Sequence, residues 1–289
     1  MARTSPWAAR TAPRPRQIVA MGGGGFTEEP DNPVLDDWVL DACGAERPRV
    51  LFLPTAGGDN PSYVTKFYSA FSGGHCDPSH LALFNRQVDD VRAVILAQDV
   101  VYVGGGNTVN LLAVWRAQGI DEVLREAWAR GVLLAGLCAG SMCWFEGGVT
   151  AAFGTRLSPL EDGLGLLPGS NCPHYRTRRD AYGKALADGL APGLAADDGV
   201  ALHFVDRRLA AVVASREGRH AYRVGVAGGR VVEAPLRPIL LDQARGYPAA
   251  RRAIVAGGEA RPALAAARDA RAAGRTTNAA SGVLTSGGR

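Results

Sequence analysis

Residues 136–140 read Gly-Leu-Cys-Ala-Gly and follow the apolar run Val132-Leu-Leu-Ala135. A nucleophile held between two glycines on a sharp strand-to-helix turn projects above its sheet and meets a substrate. The thiol of Cys138 is therefore the first candidate for attack on an acyl carbon. A helix beginning at Ala139 favours the thiolate with its positive end, and the Ala139 N–H is a candidate oxyanion donor. A second donor is expected from Gly104-Gly-Gly-Asn107, where Gly105 or Gly106 lets the backbone approach a developing oxyanion. Asn107 is both a helix cap and a candidate substrate contact. The reaction also needs a base that takes the thiol proton and returns one to a leaving group. There are five histidines, and His174 stands in Asn171-Cys-Pro-His-Tyr175. A proline-bounded loop at a strand end would hold it over the elbow. The competing reading of Cys138 is a buried structural cysteine in a glycine-bounded turn, and a Cys172–His174 pair lacks the elbow context.

The elements that must position these groups alternate along the chain. Short strands are predicted at 17–21, 49–53, 81–84, 99–103 and 132–136, with helices at 62–71, 108–117 and 121–130. This alternation argues for a parallel sheet covered by helices, with function at its carboxyl edge. Shorter strands at 199–205, 209–213, 221–226 and 230–233 favour antiparallel sheet edges.

The chain has 289 residues, 47% of them hydrophobic, enough for one extended α/β domain. The formal net charge of +4 is diffuse, with Arg3, Arg10, Arg14 and Arg16 at one end and Arg261, Arg268 and Arg271 at the other. No dense basic run or recognition motif accompanies it, so a specific nucleic-acid partner is not expected. Five cysteines form no metal pattern and no small disulfide scaffold, which fits a reducing, cytoplasmic setting. No membrane-spanning run or secretory signal is seen. Residues 1–16 are expected to be a flexible basic leader, 17–245 the catalytic domain, and 246–289 an Ala/Arg/Gly-rich tail, largely disordered apart from an Ala-rich helix within 261–273.

Taken in order, Gly22-Gly-Gly-Gly-Phe26, Pro54-Thr-Ala56, Gly104-Gly-Gly-Asn107, Gly136-Leu-Cys-Ala-Gly140, Cys143-Trp-Phe-Glu-Gly147 and Cys172-Pro-His-Tyr175 resemble the landmarks of peptidase family S51. The similarity runs over about residues 17–245 and looks closest to the peptidase-E-like branch. It implies a three-layer α/β fold like that of class I glutamine amidotransferases, with a largely parallel central sheet and an antiparallel edge. It implies a serine–histidine hydrolase arrangement, in which Cys138 replaces the serine and His174 matches the histidine. Gly105 or Gly106, with Ala139, matches the oxyanion-hole region. No metal or organic cofactor is implied.

Three departures accompany the resemblance. Cysteine stands where serine is usual, and a thiolate is a capable acyl nucleophile. The segment Gly147–Phe153 carries Ala151 where the family has an acid to orient the histidine; Asp197 and Asp198 are the candidate substitutes. The stretch after His174 is shortened and basic, and Arg176, Arg178 and Arg179 are candidates for binding a substrate carboxylate.

The expected activity is hydrolysis of a small peptide or amino-acid amide through a Cys138 thioacyl intermediate. The same intermediate, met by an amine instead of water, makes an acyltransferase or a peptide-bond-forming enzyme. A noncatalytic peptide- or metabolite-binding homologue and a glutaminase subunit are the other readings. A homodimer is left open.

Overall fold

In the computed structural model, residues 14–241 are described. The first half runs β1 (Gln17–Met21), α1 (Gly25–Glu28), α2 (Val34–Cys43), β2 (Arg49–Leu53), α3 (Pro61–Phe71), β3 (Asp77–His80) and α4 (Val91–Leu96). It continues through β4 (Val100–Val103), α5 (Thr108–Gln118), α6 (Ile120–Ala129), β5 (Leu133–Leu137) and α7 (Ala139–Met142). The second half holds β6 (Phe145–Thr150), β7 (Ser158–Leu160), β8 (Leu167–Pro173), α8 (Tyr175–Ala187) and β9 (Gly193–Ala196). It ends with β10 (Val200–Val205), β11 (Arg208–Ala214), β12 (Ala221–Ala227), β13 (Arg230–Leu236) and β14 (Ile239–Leu240).

The central strands β1, β2, β4 and β5 are apolar at almost every position because both of their faces are covered. Alternate side chains divide between two cores. Ile18 and Ala20 face a cluster with Trp115, Leu124 and Trp144, under α4, α5 and α6. Val19 and Met21 face the opposite cluster with Trp38, Phe52 and Phe67, under α2 and α3. These helices have ordinary stop and start signals. Pro61 opens α3 behind Asn60, whose side chain accepts the Ser62 N–H at 2.9 Å. Asn107 caps α5 by accepting the Asn110 N–H at 2.9 Å, and Gly119 ends it at φ 69°.

The main sheet has eight strands in the order β14-β11-β10-β1-β5-β4-β2-β3. The block from β1 to β3 is parallel, and β10 and β11 add the antiparallel side. This is the three-layer α/β arrangement with a mixed sheet. The sequence reading did not separate a second sheet, which has six strands in the order β13-β12-β9-β8-β6-β7. The chain leaves the main sheet after α7, builds β6 to β9, and returns with β10.

Several details differ from the sequence expectations. The strand expected at 81–84 lies at Asp77–His80. Leu81 still donates its N–H to Phe52 O at 3.0 Å, and its side chain is buried with that of Leu83, so the apolar signal marked anchors just past the edge strand. The leader was expected to be flexible through residue 16, but Arg14 pairs with Asp99 at 3.1 Å and Arg16 with Asp206 at 2.8 Å. The Arg16 guanidinium also lies 4.9 Å from the centre of the Trp128 ring. Residues 1–13 and the expected tail lie outside the described residues. No helix among the described residues is long and apolar enough to cross a membrane.

Candidate active site

Cys138 closes β5 and opens α7, at φ 53° and ψ −109°. A non-glycine residue at positive φ is strained and persists only where its surroundings impose it. Here the Cys138 N–H donates to Met21 O at 3.2 Å, and the Cys138 carbonyl accepts the Ser141 and Met142 N–H groups. Gly140 allows the turn to seat against β4, since a Cβ there would lie 2.3 Å from Val103 O. Ala139 is the first helical residue, so its N–H has no acceptor inside the helix. The Gly106 N–H donates to the Cys138 sulphur. Gly105 differs from the expectation, because its N–H donates to Tyr63 Oη at 2.8 Å.

His174 follows β8 and caps α8 in a left-handed conformation, φ 55°. Its N–H donates to Gly22 O at 2.8 Å, tying the second sheet to the loop after β1. Nδ1 forms a short hydrogen bond with Asp198 Oδ1, leaving Nε2 for the Cys138 thiol, with which the ring is also hydrogen-bonded. The structure therefore brings Asp198 to His174 and turns Asp197 away. The Asp197 side chain is buried, and its Oδ2 accepts the His220 N–H at 3.0 Å. The glycine run after β1 makes room for this pair, since a Cβ on Gly23 would lie 2.3 Å from Asp198 Oδ1. The loop also accepts the Gly199 N–H through Gly23 O, which holds the turn carrying Asp198.

Charge follows from this geometry. Burial pushes the Cys138 thiol up, but the His174 hydrogen bond and charge, the Arg178 charge and the Gly106 N–H together hold it below the ordinary thiol range. Burial pulls His174 down, yet its bonds to Asp198 and Cys138 raise it to about 10. The Asp198 carboxyl is held low chiefly by its bond to His174. All three shifts run in the direction that favours a thiolate–imidazolium pair backed by a carboxylate. Three other buried thiols behave oppositely: burial takes Cys76 to about 11, Cys172 to about 12 and Cys143 well above its usual range. Cys172 packs with Tyr175 and Tyr182.

A recess of about 250 Å³ opens beside Cys138, bounded by Gly106, Asn107, Met142, Thr150, Ala151 and Arg178. Arg178 lines the recess and donates from Nη1 to Val149 O at 3.4 Å. Asn107 presents its amide nitrogen to Ala152 O at 3.2 Å on the same wall. Arg179, expected as a possible carboxylate ligand, is bound to Glu233 instead and lies over the Tyr175 and Tyr222 rings. Arg176 is exposed on α8 away from that wall. Ala151 lines the Arg178 recess, while the acid facing His174 comes from Asp198.

Glu28, His174 and Asp198 offer ligand atoms within 4.8 Å of one another, a set able to approach a cation. Both ring nitrogens of His174 already have protein partners, and Glu28 Oε2 accepts the Gly24 N–H at 2.8 Å. The donors are thus committed to holding the pair and its loop. Sequence reasoning missed Tyr63 and Glu28. Tyr63 comes from α3, which carries no motif, and Glu28 lies two residues past the Gly22–Phe26 run.

The sequence profile of Peptidase family S51 matches residues 18–212. The chain is 50% identical over 225 residues to "Uncharacterized peptidase YgaJ" of Bacillus subtilis (strain 168), covering 76% of this chain and 97% of that protein. It is 37% identical over 83 residues to the imidazole glycerol phosphate synthase subunit HisH of Herpetosiphon aurantiacus, covering 29% of this chain and 36% of that one. The fold is similar to a crystal structure of a peptidase from an acI-B1 Actinobacterium, with a TM-score of 0.60 at 16% identity, over 78% of this chain and 96% of that one. With a matching family profile over most of the described residues and a half-identical full-length relative, the chain belongs to peptidase family S51 and is an enzyme of hydrolase or acyl-transfer kind.

Proposed function

We propose that the protein is a cytoplasmic cysteine-dependent hydrolase of small peptides or amino-acid amides, with its catalytic domain beginning near residue 17. The line Cys138–His174–Asp198 carries this reading: a depressed thiol, a raised imidazole and a carboxylate bound to the far ring nitrogen. The Cys138 thiolate attacks the carbonyl carbon, and the Gly106 and Ala139 N–H groups receive the charge that develops on oxygen. His174 gives its proton to the leaving nitrogen as the C–N bond breaks. It then takes a proton from water as the hydroxide adds to the thioester, and the C–S bond breaks to restore the thiolate. Asp198 keeps the imidazole oriented and stabilises its charged form. The acyl part of the substrate lies in the Arg178 recess, where a guanidinium suits a carboxylate.

Asp198 also answers the reading of a noncatalytic homologue, which drew its support from Ala151. An acid faces His174 although residue 151 carries none.

The test is mass-spectrometric turnover of a mixed library of small peptides and amino-acid amides by the wild type and Cys138→Ala. Products made by the wild type and reduced at least about 1,000-fold in the variant are expected. Equal turnover by both proteins would overturn the role of Cys138.

A further inference from the structure

Tyr63 stands in the first turn of α3 and reaches back to the elbow. With Thr27, Glu28, Lys66, Cys138 and His174 it bounds a recess of about 410 Å³. Its hydroxyl oxygen accepts the Gly105 N–H at 2.8 Å. Gly105 also abuts the nucleophile, since a Cβ on it would lie 3.2 Å from Cys138 Cβ. Hydroxyl, glycine and nucleophile are thus successive neighbours.

The surrounding loops are shaped to this ring. A Cβ on Gly104 would lie 2.8 Å from Tyr63 Cε1 and 3.0 Å from its Oη, and one on Gly57 would lie 3.1 Å from Cδ1. Phe52 and Phe26 pack on the ring, with centroids 5.1 Å and 5.8 Å away. A side chain seated in this way holds its hydroxyl in place before any substrate arrives.

A tyrosine hydroxyl that accepts one hydrogen bond still has its own hydrogen to donate. Among the described residues, the Tyr63 hydrogen has no protein acceptor. Burial, with the charges of Cys138, Glu28 and Asp36, outweighs the Gly105 bond and holds the phenol above its usual range. The hydroxyl therefore stays a donor beside an ionised thiol. The Gly105 N–H polarises Oη and strengthens that donor.

We propose that Tyr63 is a catalytic residue, whose hydroxyl takes the place of the Gly105 N–H as a donor to the carbonyl oxygen under attack. The role rests on the acyl chemistry proposed above. As Sγ adds to the carbonyl carbon, the C=O electron pair moves onto oxygen, and the Tyr63 O–H joins the Gly106 and Ala139 N–H groups around it. No proton is transferred in this step, and the hydroxyl lets go as the carbonyl re-forms. A residue that only propped up the Gly104–Gly106 turn would act instead on the sulphur, through the Gly106 N–H.

Two reactions of Cys138 separate these roles. Acylation by p-nitrophenyl acetate passes through an oxyanion, whereas alkylation by iodoacetamide displaces iodide and makes none. Both are followed by the mass of the Cys138 peptide in the wild type and in Tyr63→Phe. The variant is expected to acylate at least about tenfold more slowly, with an alkylation profile against pH that overlays the wild type. Acylation slowed by less than this, or acylation and alkylation slowed together, overturns the proposal. Peptide-library turnover failing in the wild type, while ester acylation keeps its dependence on Tyr63, would instead overturn the proposed hydrolysis and leave this role standing.

Discussion

Replacing Asp198 by asparagine removes the charge behind His174 while keeping the shape of the side chain. His174 ordinarily titrates at 6.5 and is raised to about 10, against the effect of burial, by Asp198 and Cys138 together. With the rise shared about equally, Asp198 contributes about 2 kcal/mol to the imidazolium, or about 30-fold in the acid dissociation constant of the ring. The thiolate depends on that imidazolium, so its own titration moves up by a similar amount. The assay is the second-order rate of iodoacetamide alkylation at Cys138 from pH 5 to pH 10. Asp198→Asn is expected to move the midpoint of this profile to a proton concentration about 30-fold lower and to converge with the wild type at the alkaline end, where both thiols are ionised. Its kcat/KM profile should move to higher pH in the same direction. Asp197→Asn is the control: its partner is the His220 N–H, so the alkylation profile should stay in place. A profile for Asp198→Asn that overlays the wild type, or a loss seen in Asp197→Asn instead, would refute the assignment of the acid.

Arg178→Ala should raise KM about tenfold or more for substrates with an acidic acyl group, whereas Arg179→Ala should leave KM unchanged and lower the melting temperature, because Arg179 is tied to Glu233; steady-state kinetics and thermal melts separate the two. Gly140→Ala should cost about 3 kcal/mol in urea unfolding, since its Cβ meets the Val103 carbonyl in a packed core. His203 is buried beside Trp38, shares a 2.9 Å hydrogen bond with Gln17, and is pushed down to about 4 by burial. Its folded form stays neutral while the unfolded chain takes up a proton, so about 3 kcal/mol of stability is lost as the pH falls from about 6.5 to 4. Asp36, raised to about 7 by burial, acts in the opposite direction over this window, and the difference between wild type and His203→Leu in urea melts isolates the histidine. The raised His174 contributes stability that is complete below about 6.5 and disappears as the pH climbs through about 10.

The parts of the fold that announce themselves in the sequence are those whose side chains are buried on both faces. The strands at 17–21, 49–53 and 133–137 read as apolar runs because helices cover them on either side. Helix α8 did not read as a helix. Its first turns are Tyr-Arg-Thr-Arg-Arg-Asp, and it rests on a few large residues, Tyr175, Tyr182 and Leu186, against the second sheet. With no helix assigned to it, that stretch gave no face to choose between Arg178 and Arg179, although neighbours on a helix point about 100° apart. The elbow was legible because its glycines and cysteine are contiguous. The choice between Asp197 and Asp198 was not, because it rests on the direction of one tight turn between β9 and β10. Glu28, Tyr63 and Lys66 carry no local pattern, and only the approach of α1 and α3 to the elbow assembles them.

The thiol and its base belong to different sheets. Cys138 ends a strand of the first, His174 ends a strand of the second, and Asp198 sits in the turn by which the chain crosses back. During synthesis, the nucleophile leaves the ribosome before either group that ionises it. Until β8 and β10 have docked, Cys138 is one more ordinary thiol among five, protonated at neutral pH and slow to react. The enzyme thus carries its own safety catch, and chemical labelling of this one sulphur becomes a clock for the last event in its assembly.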